Sequence, residues 1–111
     1  MSTININKMY STEQEYMSIV EEDGWALSSI EVKTPNICMS AIKNSGLSII
    51  NIRDPTPELC MAAVQQNGMA LRMISTEYQT LEIAIAAVKN NKEAIIYVLP
   101  RYFLDCFHSI Q

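Results

Sequence analysis

The residues able to do chemistry are few, and they are poorly placed for it. Catalysis near neutral pH recruits histidine, paired carboxylates or an activated nucleophile. The one histidine, His108, stands two residues after Cys106. Two residues turn a helix by roughly 200°, which puts the thiol and the imidazole on different faces. Cys38 and Cys60 are 22 positions apart and fall in one column of the repeat described below. Neighbouring helices lie about 8–10 Å apart, whereas a disulfide needs Cα atoms closer than about 7 Å. Both are therefore expected as small buried thiols. No C-x-x-C or H-x-x-x-H spacing offers zinc its ligands. The three glycines are spread singly, so no phosphate-cradling loop exists. The expectation is a protein that is no enzyme, with no catalytic, cofactor-binding or metal residue and no cofactor.

Composition narrows the partners. The formal net charge is −4 with pI about 4.8, and only eight residues are Lys or Arg. The closest pair, Lys89 and Lys92, makes no basic stripe, so nucleic acid is not expected. No apolar run approaches the ~18 residues a membrane-spanning helix needs. The start, Met1 to Tyr10, lacks the basic and apolar regions of a signal peptide. An odd number of cysteines fits a reducing compartment, and the expected location is cytoplasmic. At 111 residues the chain is read as one domain. Richness in Ile and Asn is compatible with an AT-rich genome, such as those of many phages, large viruses and low-GC bacteria.

The elements that would position any site come from a repeat. Thr12, Thr34, Thr56 and Thr80 each stand 12 positions before Gly24, Gly46, Gly68 and Lys92. Val20, Ile42, Val64 and Val88 share one column, and Leu27, Ile49, Leu71 and Ile95 share another. This period predicts an all-α chain, a short α-solenoid of about four helical-hairpin repeats of 22–24 residues. The repeats are 12–33, 34–55, 56–79 and 80–99, followed by a C-terminal helix, 100–111. Thr56 is a good N-cap, Pro57 suits the first helical position, and Glu58 complements the helix dipole. Leu59, Cys60, Ala63 and Val64 form an apolar stripe at helical spacing. Thr34-Pro35 repeats this start, and Thr12 with Glu15 forms a capping box, Ser11 being the alternative start. Gly at each stop is expected in the left-handed conformation at C′. Row four lacks that glycine, so Asn91 is expected to end its helix one residue earlier, with rougher geometry. After each stop, apolar residues three apart suit a second helix of about two turns, although β-branching also permits extended geometry.

Three surfaces emerge as candidates for protein contact. Trp25, Leu47 and Met69, with Glu93, share the position after the stop and would form an apolar ridge if exposed. A ladder at the helix ends runs from Glu21, Glu22 and Asp23 through Lys43-Asn44-Ser45 and Gln65-Gln66-Asn67 to Lys89-Asn90-Asn91. Its acidic first rung suits a basic partner, or Lys43 on the next row. Phe103, Phe107 and Ile110 share a stripe of the last helix, beside Tyr102 and Cys106. That helix either folds back over the last row or meets another subunit, and the stripe is the candidate for self-association as a homodimer. Met17, Met39, Met61 and Ile85 form a further column, read as packing.

The pattern Ala63-Val64-Gln65-Gln66-Asn67-Gly68-Met69-Ala70-Leu71 resembles the repeat family called domain of unknown function 4116. Its units are of the Ala-Val-x-x-Asn-Gly-x-Ala-Leu type. Ala41-Ile42-Lys43-Asn44-Ser45-Gly46-Leu47-Ser48-Ile49 is a near match, and Ala87-Val88-Lys89-Asn90-Asn91 keeps the front half. The likeness extends over roughly residues 12 to 98. It implies a helical repeat fold and no catalytic residues, and it is compatible with a viral, phage or bacterial accessory protein. The expected function is a non-enzymatic protein–protein interaction module that binds and modulates a host protein. The alternative is a self-assembling structural protein that dimerises through its C-terminal helix.

Overall fold

A computed structural model describes residues 12–111. The signal-peptide reading of Met1 to Tyr10 and the alternative start at Ser11 lie outside the described residues. Among those described, every regular element is a helix and no strand occurs. Four ten-residue α-helices are each followed by a six-residue 3-10 helix. These are α1 (Glu13–Glu22) and η1 (Gly24–Ser29), α2 (Pro35–Asn44) and η2 (Gly46–Asn51), α3 (Pro57–Gln66) and η3 (Gly68–Met73), then α4 (Leu81–Asn90) and η5 (Lys92–Tyr97). A short turn, η4 (Thr76–Tyr78), precedes α4. The chain ends in η6 (Pro100–Tyr102) and α5 (Phe103–Ser109).

The starts follow from capping chemistry. Thr34, Thr56 and Thr80 hydroxyls each accept from the backbone N–H three residues on, at 3.2 Å. Thr12 does the same for Glu15, whose carboxylate returns the bond, completing the capping box. Each such cap contributes roughly 1 kcal/mol. Pro35 and Pro57 occupy the first helical turn, where no N–H is required.

The second segment of each row is 3-10 rather than α. With three residues per turn, side chains at i and i+3 eclipse. Apolar residues three apart, Leu27 with Ile30, Ile49 with Ile52, and Leu71 with Ile74, therefore fall on one inward face. The two expected turns are present, and the extended alternative is not taken.

The stops differ from the expectation. No described residue has a positive φ, glycines included. Each α-helix instead ends in one extended residue: Asp23, Ser45, Asn67 and Asn91 have φ of −147°, −149°, −153° and −149°. Its N–H still closes the last helical turn, onto Ile19, Ala41, Ala63 and Ala87 respectively. The glycine follows as the first residue of the 3-10 helix. Asn91 caps like its counterparts, so α4 ends neither early nor roughly.

Glycine is required there by proximity. A Cβ on Gly24, Gly46 or Gly68 would lie 2.7, 2.4 or 2.3 Å from the carbonyl oxygen of Ala41, Ala63 or Ala87 on the next row's helix. All three glycines are buried, whereas Lys92, at the same position in row four, is exposed. Consecutive rows thus touch backbone to backbone. Successive α-helices pack on one another, each also meeting the 3-10 helix before it, and α5 packs on α4 and η5. Val20, Leu27, Ile42, Ile49, Val64, Leu71 and Val88 form one buried core with the alanine column.

Candidate protein-interaction surfaces

The ladder at the helix ends is mostly internal wiring. Asn44 Oδ1 accepts from the Gly24 N–H at 2.8 Å, Gln66 Oε1 from Gly46 at 2.6 Å, and Asn90 Oδ1 from Gly68 at 2.6 Å. The same amides donate backwards. Asn44 Nδ2 donates to the Glu21 carbonyl at 2.9 Å, and Asn90 Nδ2 to the Gln65 carbonyl at 3.0 Å. Each amide therefore satisfies a donor and an acceptor left open where the preceding α-helix breaks into its 3-10 helix. The last rung position is a cap as well: Asp23, Asn67 and Asn91 side chains accept from Trp25, Met69 and Glu93 N–H groups. These middle and last positions are spent on the fold, which leaves the Glu21 and Glu22 carboxylates of the first row free.

Glu21, Glu22 and Asp23 are all exposed. Lys43 makes no ion pair with them among the described residues. Asp23 is engaged as the cap on Trp25. The other end of α1 is tied down: the Glu13 carboxylate accepts from the Thr34 hydroxyl and from Asn36 Nδ2, which holds its pKa below the ordinary 4.5. These bonds favour the charged form.

The apolar ridge is uneven. Trp25 is 46% exposed, while Leu47 and Met69 are half-buried and pack against the core. Glu93, the fourth member, is exposed. All four stand at the second position of successive 3-10 helices, and η1, η2, η3 and η5 are consecutive neighbours. Ile50 and Ile96, three residues beyond Leu47 and Glu93, add exposed apolar area at 54% and 72%. Equal spacing put the column on the same edge of each row; the depth of burial was not readable from it.

The last helix divides its stripe. Cys106 is buried, with Tyr102 and Ile110 packed against the core, so this side folds back over row four. Phe103 and Phe107 point away, 41% and 40% exposed, with ring centroids 6.0 Å apart in a stacked arrangement. Leu104 is exposed beside them. Ile110 thus lies apart from the two phenylalanines. Arg101 lies over the Tyr102 ring at 5.5 Å.

Cys38, Cys60 and Cys106 are free and buried. Burial pushes their thiols up, that of Cys60 to about 11. Thiols held neutral in this way are poor nucleophiles. His108 is exposed and adjoins the Phe107 ring, away from Cys106. The Met17, Met39, Met61 and Ile85 column packs against the core. Among the described residues no group of three His, Cys, Asp or Glu could hold a metal ion, and no helix is long and apolar enough to cross a membrane.

One internal bridge escaped the sequence reading. Gln79 is 5% exposed; its Oε1 accepts from the Leu99 N–H at 2.8 Å and its Nε2 donates to the Tyr97 carbonyl at 3.2 Å. It stands directly before Thr80, in the stretch after Ile74 that is two residues longer than its counterparts in rows one and two. That extra length was the available signal.

An all-helical chain of α and 3-10 pairs, with no catalytic constellation among its described residues, is the class these observations define. Residues 56–103 match the family described as "Domain of unknown function (DUF4116)". This is the family identified from Ala63–Leu71, found over rows three and four and the start of the last helix. Neither a curated protein nor a solved structure matches.

Proposed function

We propose that this chain is a non-enzymatic protein-interaction module, built as a short α-solenoid of four helical-hairpin rows, that acts by occupying a partner's surface. The observation that carries the reading is Trp25, 46% exposed at the head of a line of equivalent positions that continues through Leu47 and Met69. A large aromatic beside carboxylates, on a rigid repeated scaffold, is the composition of an interface anchor. Glu21, Glu22 and Asp23 adjoin it and supply electrostatic selection. A role as a viral, phage or bacterial accessory protein that modulates a host protein fits a small module of this kind, as does a cytoplasmic location.

Affinity capture from cells of the source organism tests it. The wild-type chain is compared with Trp25→Ala, a change at an exposed position that leaves the core intact. One stoichiometric protein retained by the wild type and lost with the variant is the expected result. Identical captured sets would sink the proposal.

A second reading, dimerisation, rests on Phe103, Leu104 and Phe107, exposed together on α5. A two-fold contact through them is the natural geometry. Phe107→Asp then yields monomers in light scattering, and an unchanged oligomer refutes the assignment.

A further inference from the structure

The junctions between rows describe what a row does to its neighbour, and α1 has no such neighbour among the described residues. At each junction, three columns of the following helix face the preceding row. They are Ile37, Ala41 and Asn44 in α2, Leu59, Ala63 and Gln66 in α3, and Ile83, Ala87 and Asn90 in α4. The first two of each set are buried, and the third makes the amide bridge. In α1 the same columns hold Glu15, Ile19 and Glu22, and all three are exposed, Ile19 at 42%. Glu15 is turned to its own N-cap, bonded to Thr12. Glu22 takes the place of an amide that both accepts and donates; as a carboxylate it can only accept.

Charge is divided the same way. Residues 12–33 carry Glu13, Glu15, Glu21, Glu22, Asp23 and Glu31 against Lys33 alone, whereas residues 34–111 hold six acidic and six basic groups and are neutral. Lys33 is itself engaged, donating to the Ile30 carbonyl. Glu21, Glu22 and Glu31 have no cationic partner among the described residues. Two more exposed apolar side chains, Trp25 and Val32, belong to this row, at 46% and 68%. The opposite end is covered, because α5 packs over α4 and η5.

We infer that the open face of α1, with Ile19 at its centre and Glu22 beside it, docks a basic, apolar-bearing protein segment. The partner's aliphatic groups cover Ile19 as a neighbouring row would. Its Lys or Arg donors meet the Glu22 carboxylate, which can only accept. This rests on the interaction-module reading and names the partner's chemistry and the face it uses. Such a contact weakens with salt, because the charges it pairs are exposed.

The test uses the full chain and three fluorescein-labelled twelve-residue peptides with identical leucine spacing and Lys, Ser or Glu at the polar positions. Binding is followed by anisotropy. The Lys peptide is expected to bind saturably, at least tenfold tighter than the Ser and Glu peptides, and more weakly at 200 than at 50 mM NaCl. Glu22→Gln, and separately Ile19→Ser, each weaken it by fivefold or more. Glu82→Gln with Glu93→Gln, outside the first row, leave it within twofold. Equal loss from Glu22→Gln and from the Glu82 and Glu93 changes would reduce the effect to diffuse attraction and overturn the inference. So would a fivefold gain on removing residues 1–11, which contain Lys8 among Ile4 and Ile6 and would then be the occupant. Self-association abolished by Ile19→Ser would assign the face to a second copy instead. Preference for the Ser peptide, lost with Trp25→Ala, would overturn this inference while the broader module reading survives. If no peptide binds, the inference fails, and the capture comparison with Trp25→Ala decides the module reading separately.

Discussion

Replacing Gly46 by alanine separates two accounts of why glycine recurs at the stops. If the residue served only chain flexibility, alanine would stabilise the protein by about 0.4–1 kcal/mol, because φ is not positive and the unfolded chain loses freedom. The packing predicts the opposite. The added Cβ would lie 2.4 Å from the Ala63 carbonyl oxygen, 2.9 Å from Gln66 Oε1 and 3.3 Å from the Ala63 carbonyl carbon. Two of these three atoms are backbone, so no side-chain rotation relieves the clash. Rows two and three must separate by about 1 Å. Overpacking of this kind costs roughly 1–3 kcal/mol. The separation also stretches the 2.6 Å bond from the Gly46 N–H to Gln66, whose loss leaves a buried donor at about 1–3 kcal/mol. After the unfolded-state gain, the net is a destabilisation of about 1–6 kcal/mol. Urea unfolding followed by circular dichroism reads this as a midpoint lower by roughly 0.5–3 M, for a slope of about 2 kcal/mol per M. Lys92→Ala, at the equivalent position in row four, is the control and moves stability by less than about 0.5 kcal/mol. A Gly46→Ala midpoint equal to or above wild type would refute the proximity argument.

Asn90→Ala removes the acceptor for the Gly68 N–H and the donor to the Gln65 carbonyl together. It should cost about 1–3 kcal/mol in the same assay although Asn90 is exposed, and a loss below about 0.5 kcal/mol would count against the bridge. The Cys60 thiol, raised to about 11, should resist iodoacetamide at pH 8 in the native state and react once unfolded. Because the folded value lies above the unfolded one, its stabilising contribution is whole below about pH 9 and is lost as pH rises toward 11, a fall that Cys60→Ala should flatten. The Glu13 carboxyl is depressed by Thr34 and Asn36, so its contribution is present above pH 4.5 and disappears as pH falls through the lower folded value. Glu13→Gln should show a shallower loss of stability between pH 5 and 2; an unchanged profile would dismiss the contact.

Sequence spacing was enough to place the helices, because their starts are local chemistry. A threonine side chain and the N–H three residues on are fixed by neighbouring dihedrals alone, and a Thr-Pro pair needs no tertiary context. The apolar columns were legible for the same reason, since Val20, Ile42, Val64 and Val88 follow helical periodicity. What stayed hidden were relations between rows. Glycine at a helix stop ordinarily signals the left-handed region, and nothing local distinguishes that from a glycine required by a neighbouring carbonyl 17 to 19 residues away. Asn44, Gln66 and Asn90 likewise read as a polar surface, because an exposed amide and a bridging amide have the same composition. The aligned amide column opposite the aligned glycines was the one available clue. The candidate surfaces were legible by position and not by depth: Trp25, Leu47 and Met69 share a register, yet only Trp25 is exposed. Phe103, Phe107 and Ile110 share a helical stripe, but Ile110 meets the core while the phenylalanines are exposed.

Site-specific photocrosslinking tests the central claim most directly. A benzophenone side chain at position 25, at the head of the ridge, is compared in cells of the source organism with one at position 82, an exposed site on α4. A single crosslinked protein at position 25 and none at position 82 is the predicted result. Equal labelling at both positions, or none at position 25, would contradict the account of this chain as an interaction module with a defined binding face.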